Sequence, residues 1–198
     1  MAQFFARQSR LAAMLAEPAV TLTWQAAPGA PTLTSVLSVA PRRDASTLPF
    51  VFWFQLFAGS ASLLIGAWVY ALRRGDWGPR MLALCGLAFP LSTVSAAVYS
   101  TRELAIDGTV FRWLSSVNHT GALMFGCALI AIFLTHPRLL TRPLWLLALP
   151  VVFGLWQLGD TFRWWPDQNW GARIPIMVEM LLAIALAVVQ WRRSRGQP

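Results

Sequence analysis

The sequence predicts an all-α membrane protein: a bundle of five transmembrane helices preceded by a small α+β extracytoplasmic segment. Three observations predict it. Of 198 residues, 57% are hydrophobic and only 12% charged, whereas a soluble domain carries about a quarter charged residues. Mean hydropathy is +0.54. Five apolar runs each approach the ~20 residues that a helix needs to cross ~30 Å of hydrocarbon. Net charge is +8, but the arginines sit at the ends of the apolar runs, not in an aromatic-interleaved patch. They set topology, and no nucleic-acid partner is expected.

Residues 1–48 form the extracytoplasmic segment. M-A-Q-F-F-A-R-Q-S-R-L-A-A-M-L-A reads as a short amphipathic helix, with Phe4, Phe5, Leu11, Ala12 and Leu15 on one stripe and Arg7 and Arg10 beside it. Those arginines interrupt the continuous apolar stretch that a signal peptide needs. Pro18 ends the helix. Val20–Trp24 then alternates like a half-buried strand, A-P-G-A-P turns the chain, and Thr32–Val39 alternates again. So few residues make a poor core on their own.

The bundle occupies 49–191, and 192–198 is a cytoplasmic tail. The apolar runs are Phe50–Leu72, Met81–Tyr99, Trp113–Leu134, Leu144–Asp160 and Ile174–Gln190. The segments after the first, third and fifth carry eight arginines and one acid; the other two loops carry Arg102, Arg112, Arg163 and Arg173 against four acids. The positive-inside rule makes the first set cytoplasmic, with the N-terminus outside, in a bacterial inner membrane. Trp53, Trp113, Trp164, Trp165 and Trp170 mark the outer interface; Trp68, Trp77, Trp145 and Trp191 mark the inner one. The N-terminal segment carries Arg7, Arg10, Arg42 and Arg43, an awkward load to export without a preceding span, so the sequence reads as though it begins part-way through a longer one.

Pro90 and Pro150 fall within spans and are expected to kink them. Gly59, Gly66, Gly86, Gly121 and the Ala122-x-x-x-Gly126 spacing mark close helix approaches, packing contacts first and homodimer contacts second. Cys85 and Cys127 lie inside apolar runs without C-x-x-C spacing and read as packing residues.

Ionisable groups within a bilayer are costly, so they mark the candidate site. His119 lies six residues into the third run and Glu179 five into the fifth, about 8–9 Å below the outer boundary at the helical rise. The two are expected to pair across the bundle. Asn118 lies beside His119; Tyr99, Arg102 and Glu103 close the second run at the same face, and Asp160 closes the fourth. These seven residues would line an outward-facing polar cup, and the blander reading is mutual satisfaction of His119 and Glu179. No metal and no cofactor is expected. The other histidine, His136, lies seventeen residues along the same helix, roughly 25 Å away, which excludes bis-histidine haem ligation within one chain. Phosphate-loop, dinucleotide, nucleophile-elbow and zinc-protease motifs are missing.

V-Y-S-T-R-E-L (98–104), L-S-S-V-N-H-T-G-A-L-M-F-G (114–126) and H-P-R-L-L (136–140), with W-V-Y-A-L-R-R (68–74) and F-F-A-R-Q-S-R-L-A-A-M-L (4–15), resemble the membrane input region of bacterial multi-pass sensor histidine kinases of two-component systems. The resemblance implies a sensor that feeds a cytoplasmic kinase and a response regulator, with a membrane anchor before this stretch and further spans and the kinase after it. The chain has no asparagine-rich ATP box and no glycine-rich nucleotide loop, so kinase activity is not carried over. The expectation is therefore a non-enzymatic membrane sensor, a fragment or truncated product lacking the kinase. The alternative is a small stand-alone membrane subunit of a transporter or respiratory complex. A membrane enzyme using His119 and Glu179 as acid and base ranks below both.

Overall fold

The computed structural model describes residues 2–40, 44–102, 105–137, 139–167 and 169–195. In chain order the elements are α1 (Ala2–Met14), β1 (Ala19–Gln25), β2 (Thr32–Ser38), α2 (Phe50–Leu72), α3 (Trp77–Arg102), α4 (Gly108–Thr135), α5 (Ala148–Thr161) and α6 (Ile174–Ser194). A 3-10 turn, Pro143–Leu147, leads into α5, and a π-helical turn, Asn169–Arg173, leads into α6. Five helices are long and apolar enough to cross a membrane: Phe50–Leu72, Trp77–Thr101, Gly108–Thr135, Leu144–Thr161 and Asn169–Ser194. The all-α fold class with its small α+β start is the one the sequence indicates.

β1 and β2 form one antiparallel pair, Ala19 opposite Ser38 and Gln25 opposite Thr32. Gly29 turns the connection at φ 84°, a left-handed conformation that costs glycine nothing. The strands are not half-buried as their alternation suggested. Only Val20 and Ser35 are even partly covered; among the described residues no third element makes an extensive contact with the hairpin.

The N-terminal helix does find a partner. Phe4 and Phe5 meet the ring of Phe111 at centroid distances of 5.7 and 6.2 Å. Gln8, only 4% exposed, donates through Nε2 to the Ile106 carbonyl at 3.1 Å. Ser9 Oγ accepts from the backbone N–H of Gly108 at 3.1 Å. A Cβ at Gly108 would run into the Phe5 carbonyl, so glycine lets α1 lie on the start of α4. The predicted stripe of Leu11, Ala12 and Leu15 contributes less; Leu11 is exposed.

Within the bundle α2 packs on α3, α3 on α4, and α4 on both α6 and α5. Small residues set the spacing. Gly66 and Gly86 face each other; a Cβ at Gly86 would lie 2.6 Å from the Ser62 carbonyl. A Cβ at Gly121 would lie 2.6 Å from Ser92 N. The small residues of α4 therefore serve two neighbours, Gly121 towards α3 and Gly126 towards Glu179 of α6. Pro90 lies inside α3. Pro150 lies within the fourth span, Leu144–Thr161, as the third residue of α5, where its missing N–H falls among the first-turn groups that have no intrahelical partner.

Candidate functional site

α4 carries two buried polar levels. At the first, His119 Nδ1 and Asp160 Oδ2 lie 2.8 Å apart, and the residues are 9% and 5% exposed. With the carboxylate ionised, Nδ1 carries the proton and donates it. The two side chains form a buried imidazole–carboxyl pair. Asp160 is placed by the last turn of α5, and its other oxygen faces Gly171, where a Cβ would collide with it. The loop after α5 folds back over this level. Arg163 reverses the chain at φ 62° and stacks its guanidinium 4.7 Å over Phe5. Partial burial pushes the Arg163 pKa below its ordinary value, and nearby Asp160 opposes the shift. Trp165 stacks on Trp156 at 4.7 Å and donates to the Trp156 carbonyl, its indole lying against Gly159. Trp165 is thus half-buried structure, unlike Trp113, Trp164 and Trp170, which are exposed as belt residues should be.

A second network lies on the α3 side of the same level. Ser92 Oγ donates to Asn118 Oδ1 at 2.6 Å, and Asn118 Nδ2 donates to Tyr99 Oη at 2.9 Å. Adjacent residues of α4 thereby tie it to both flanking spans: Asn118 to α3 and His119 to α5.

The deeper level belongs to Glu179. It has no exposed surface, and Cys127 Sγ donates to its Oε1 at 3.3 Å. Its Oε2 has no hydrogen-bond partner among the described residues. Glu179 packs against Gly126, whose absent Cβ would lie 2.9 Å from Glu179 Cβ.

The structure thus gives His119 and Glu179 different partners. Glu179 sits level with Gly126 and Cys127, seven to eight residues further along α4 than His119, or about 10–12 Å at the helical rise. Depth counted from Trp113 and Ile174 was misleading for a physical reason. The segment 169–173 already winds helically among the spans, with Gly171 and Ala172 buried, so Ile174 does not mark the boundary. Of the seven candidate residues, His119 and Asp160 are in contact, as are Asn118 and Tyr99; Glu179 lies apart. Arg102 is the last residue of α3, and Glu103 lies outside the described residues.

Gln157, Ser92 and Cys127 were not singled out as site residues. Gln157 donates to the Ser116 carbonyl at 3.5 Å and to Thr161 Oγ1 at 3.4 Å, and it is buried beside the His119–Asp160 level. A glutamine inside an apolar run is the sequence signal that could have found it. Beside it lies a largely apolar cleft of about 720 Å³ lined by residues of α3, α4 and α5. His136 caps α4, donating its backbone N–H to the Ile132 carbonyl at 2.8 Å. Among the described residues no group of three or more His, Cys, Asp or Glu side chains could hold a metal ion.

Five helices of membrane-crossing length and composition define a multi-pass membrane protein. Compared with protein-family models, with curated proteins and with solved structures, the chain finds no match in any of the three.

Proposed function

We propose that the chain is a non-catalytic, membrane-embedded signal-input module of the histidine-kinase type, seated in a bacterial inner membrane with the His119 end outside. The observation that carries this reading is the His119–Asp160 contact. It joins α4 to α5, two spans that also share the lining of an apolar cleft. It is joined there by the bonds from Gln157 to the Ser116 carbonyl and from Arg112 to the Thr161 carbonyl, and a buried polar contact between two spans can act as a two-state element: whatever changes it changes their packing. From α4 the change passes to α6 through Cys127–Glu179 and through Gln190 Nε2, which donates to the Phe133 carbonyl at 2.7 Å. α6 then leaves the membrane through Arg192 and Arg193 towards the effector. The partners are a cytoplasmic kinase, fused or separate, and its response regulator. The chain itself supplies no phosphotransfer group in this scheme.

The test is chromosomal replacement with Asp160→Asn in the source cells, followed by transcript profiling at matched protein level. A signal-input module locked in one state shifts a defined set of transcripts, as deletion of a cognate response regulator does. Unchanged transcripts with impaired solute uptake or respiration would overturn the reading in favour of a transporter or respiratory subunit.

A further inference from the structure

Two arginines from different parts of the chain share one cavity at the end of the bundle where α1 docks. Arg112 stands in the second turn of α4, and Arg163 in the loop after α5, where the chain reverses. Both line a space of about 560 Å³ closed on its third side by Phe5, Ala6 and Ser9 of α1. Arg112 Nη2 donates to the Thr161 carbonyl at 3.1 Å, and the Arg163 guanidinium lies 4.7 Å over the Phe5 ring. These contacts hold both cations in place, and the bond to Thr161 uses only one of the five N–H donors of Arg112. Partial burial pushes the Arg163 pKa down, Asp160 opposes the shift and Arg112 adds to it, so the two guanidiniums feel each other as like charges. Such repulsion is stronger in a half-enclosed space than in water. The nearby acids have other partners. Asp160 is paired with His119, and Asp107 accepts from Ser9 and from the Thr109 N–H at the cap of α4. Among the described residues that line the cavity none is acidic.

The place of the cavity narrows the choice of anion. Each arginine is followed directly by an exposed tryptophan, Trp113 at 63% and Trp164 at 72%. Indoles of this kind settle at the level of the lipid head groups, and Arg112 lies near the start of the span Gly108–Thr135. We propose that this cavity binds the phosphate of an anionic phospholipid, clamped between Arg112 and Arg163. The planar fork of a guanidinium matches two phosphate oxygens at once, and the lipid's acyl chains run down beside Trp113 and Trp164. A soluble phosphate ester offers the same oxygens, and the experiment separates the two sources. The site stands apart from the signal-input reading, and its test reads binding alone.

The full chain in a neutral detergent is given equimolar phosphatidylglycerol and phosphatidylcholine, and lipid adducts are counted by native mass spectrometry. One phosphatidylglycerol is expected to stay bound in preference to phosphatidylcholine. Arg112→Gln and Arg163→Gln should each weaken that binding about tenfold, the worth of one hydrogen bond to a charged group. Arg163→Gln carries the test by itself if Arg112→Gln, which also loses the bond to the Thr161 carbonyl, unfolds. Arg192→Gln removes an exposed charge at the far end of α6 and should leave the binding unchanged. Retention of the lipid against excess glycerol phosphate assigns the site to the membrane. Its displacement, with the same dependence on Arg112 and Arg163, keeps the phosphate site and assigns its supply to solution. Equal retention of the two lipids, binding unchanged in both arginine variants, or an equal loss in Arg192→Gln would mean diffuse attraction by net charge and would overturn the proposal.

Discussion

His119 Nδ1 lies 2.8 Å from Asp160 Oδ2, a contact between the third and fourth spans whose two residues are both buried. Removing either partner strands the other as a buried polar group. Asp160→Ala and His119→Ala should each lower stability by about 1–3 kcal/mol. The double variant should lose less than the sum, because neither orphan then remains. Thermal unfolding of the four proteins in one detergent measures the coupling; strict additivity would show that the contact contributes nothing.

Gly126 and Gly154 make opposite demands. A Cβ at Gly126 would run into the carboxyl group and Cβ of Glu179, while one at Gly154 meets nothing within 4 Å. Gly126→Ala should destabilise the bundle by roughly 1–3 kcal/mol through overpacking. Gly154→Ala should leave the melting temperature unchanged or raise it slightly, since alanine is the better helix former. Equal melting temperatures for the two variants would contradict the close approach of α6 to α4.

Docking of α1 should depend on pH through Asp107. A hydrogen bond from the Ser9 hydroxyl, and next one from the Thr109 backbone N–H, hold the Asp107 carboxyl below its ordinary value. A carboxyl whose pKa is depressed in the folded state contributes its full stabilisation above the unfolded value. The contribution is lost as pH falls through the lower, folded value. Hydrogen exchange of residues 2–14, corrected for its intrinsic pH dependence, should therefore accelerate on acidification below the ordinary aspartate range. Asp107→Ala should show the faster exchange at neutral pH and little further change. An acid-insensitive wild type would remove the carboxyl from the account.

Gln8 should matter more to this docking than its apolar neighbour Leu11. Gln8→Ala loses the bond to the Ile106 carbonyl and leaves that carbonyl covered, a loss of ~1 kcal/mol. Limited trypsin digestion at Arg7 and Arg10 should quicken in Gln8→Ala and stay at the wild-type rate in Leu11→Ala, whose side chain is already exposed. The reverse order would refute the observed face.

Topology follows from five spans. Reporter fusions after Gly75 and Ser194 should read one side and a fusion after Asp107 the other. The arginine distribution assigns the first pair to the cytoplasm. An inverted pattern would keep the five spans but place the His119–Asp160 level on the cytoplasmic side, and with it end the external-signal reading.

What the sequence determined by itself was everything set by local pattern. Apolar runs of membrane length name five helices, because the hydrocarbon core demands length and hydropathy whatever the neighbours are. Alternation around A-P-G-A-P names the hairpin, and the turn at Gly29 is where it was expected. Gly66, Gly86, Gly121 and Gly126 were legible as approach points, since only small residues let backbones close up. The tertiary structure decided who faces whom. His119 was equally compatible with Glu179 and Asp160, because a linear sequence fixes neither helix rotation nor the relative depth of two spans. The helical start at 169–173, the packing of Glu179 against Gly126 and the return of Trp165 over Gly159 settle those freedoms together. They are long-range packing choices, and no local period in the sequence encodes them.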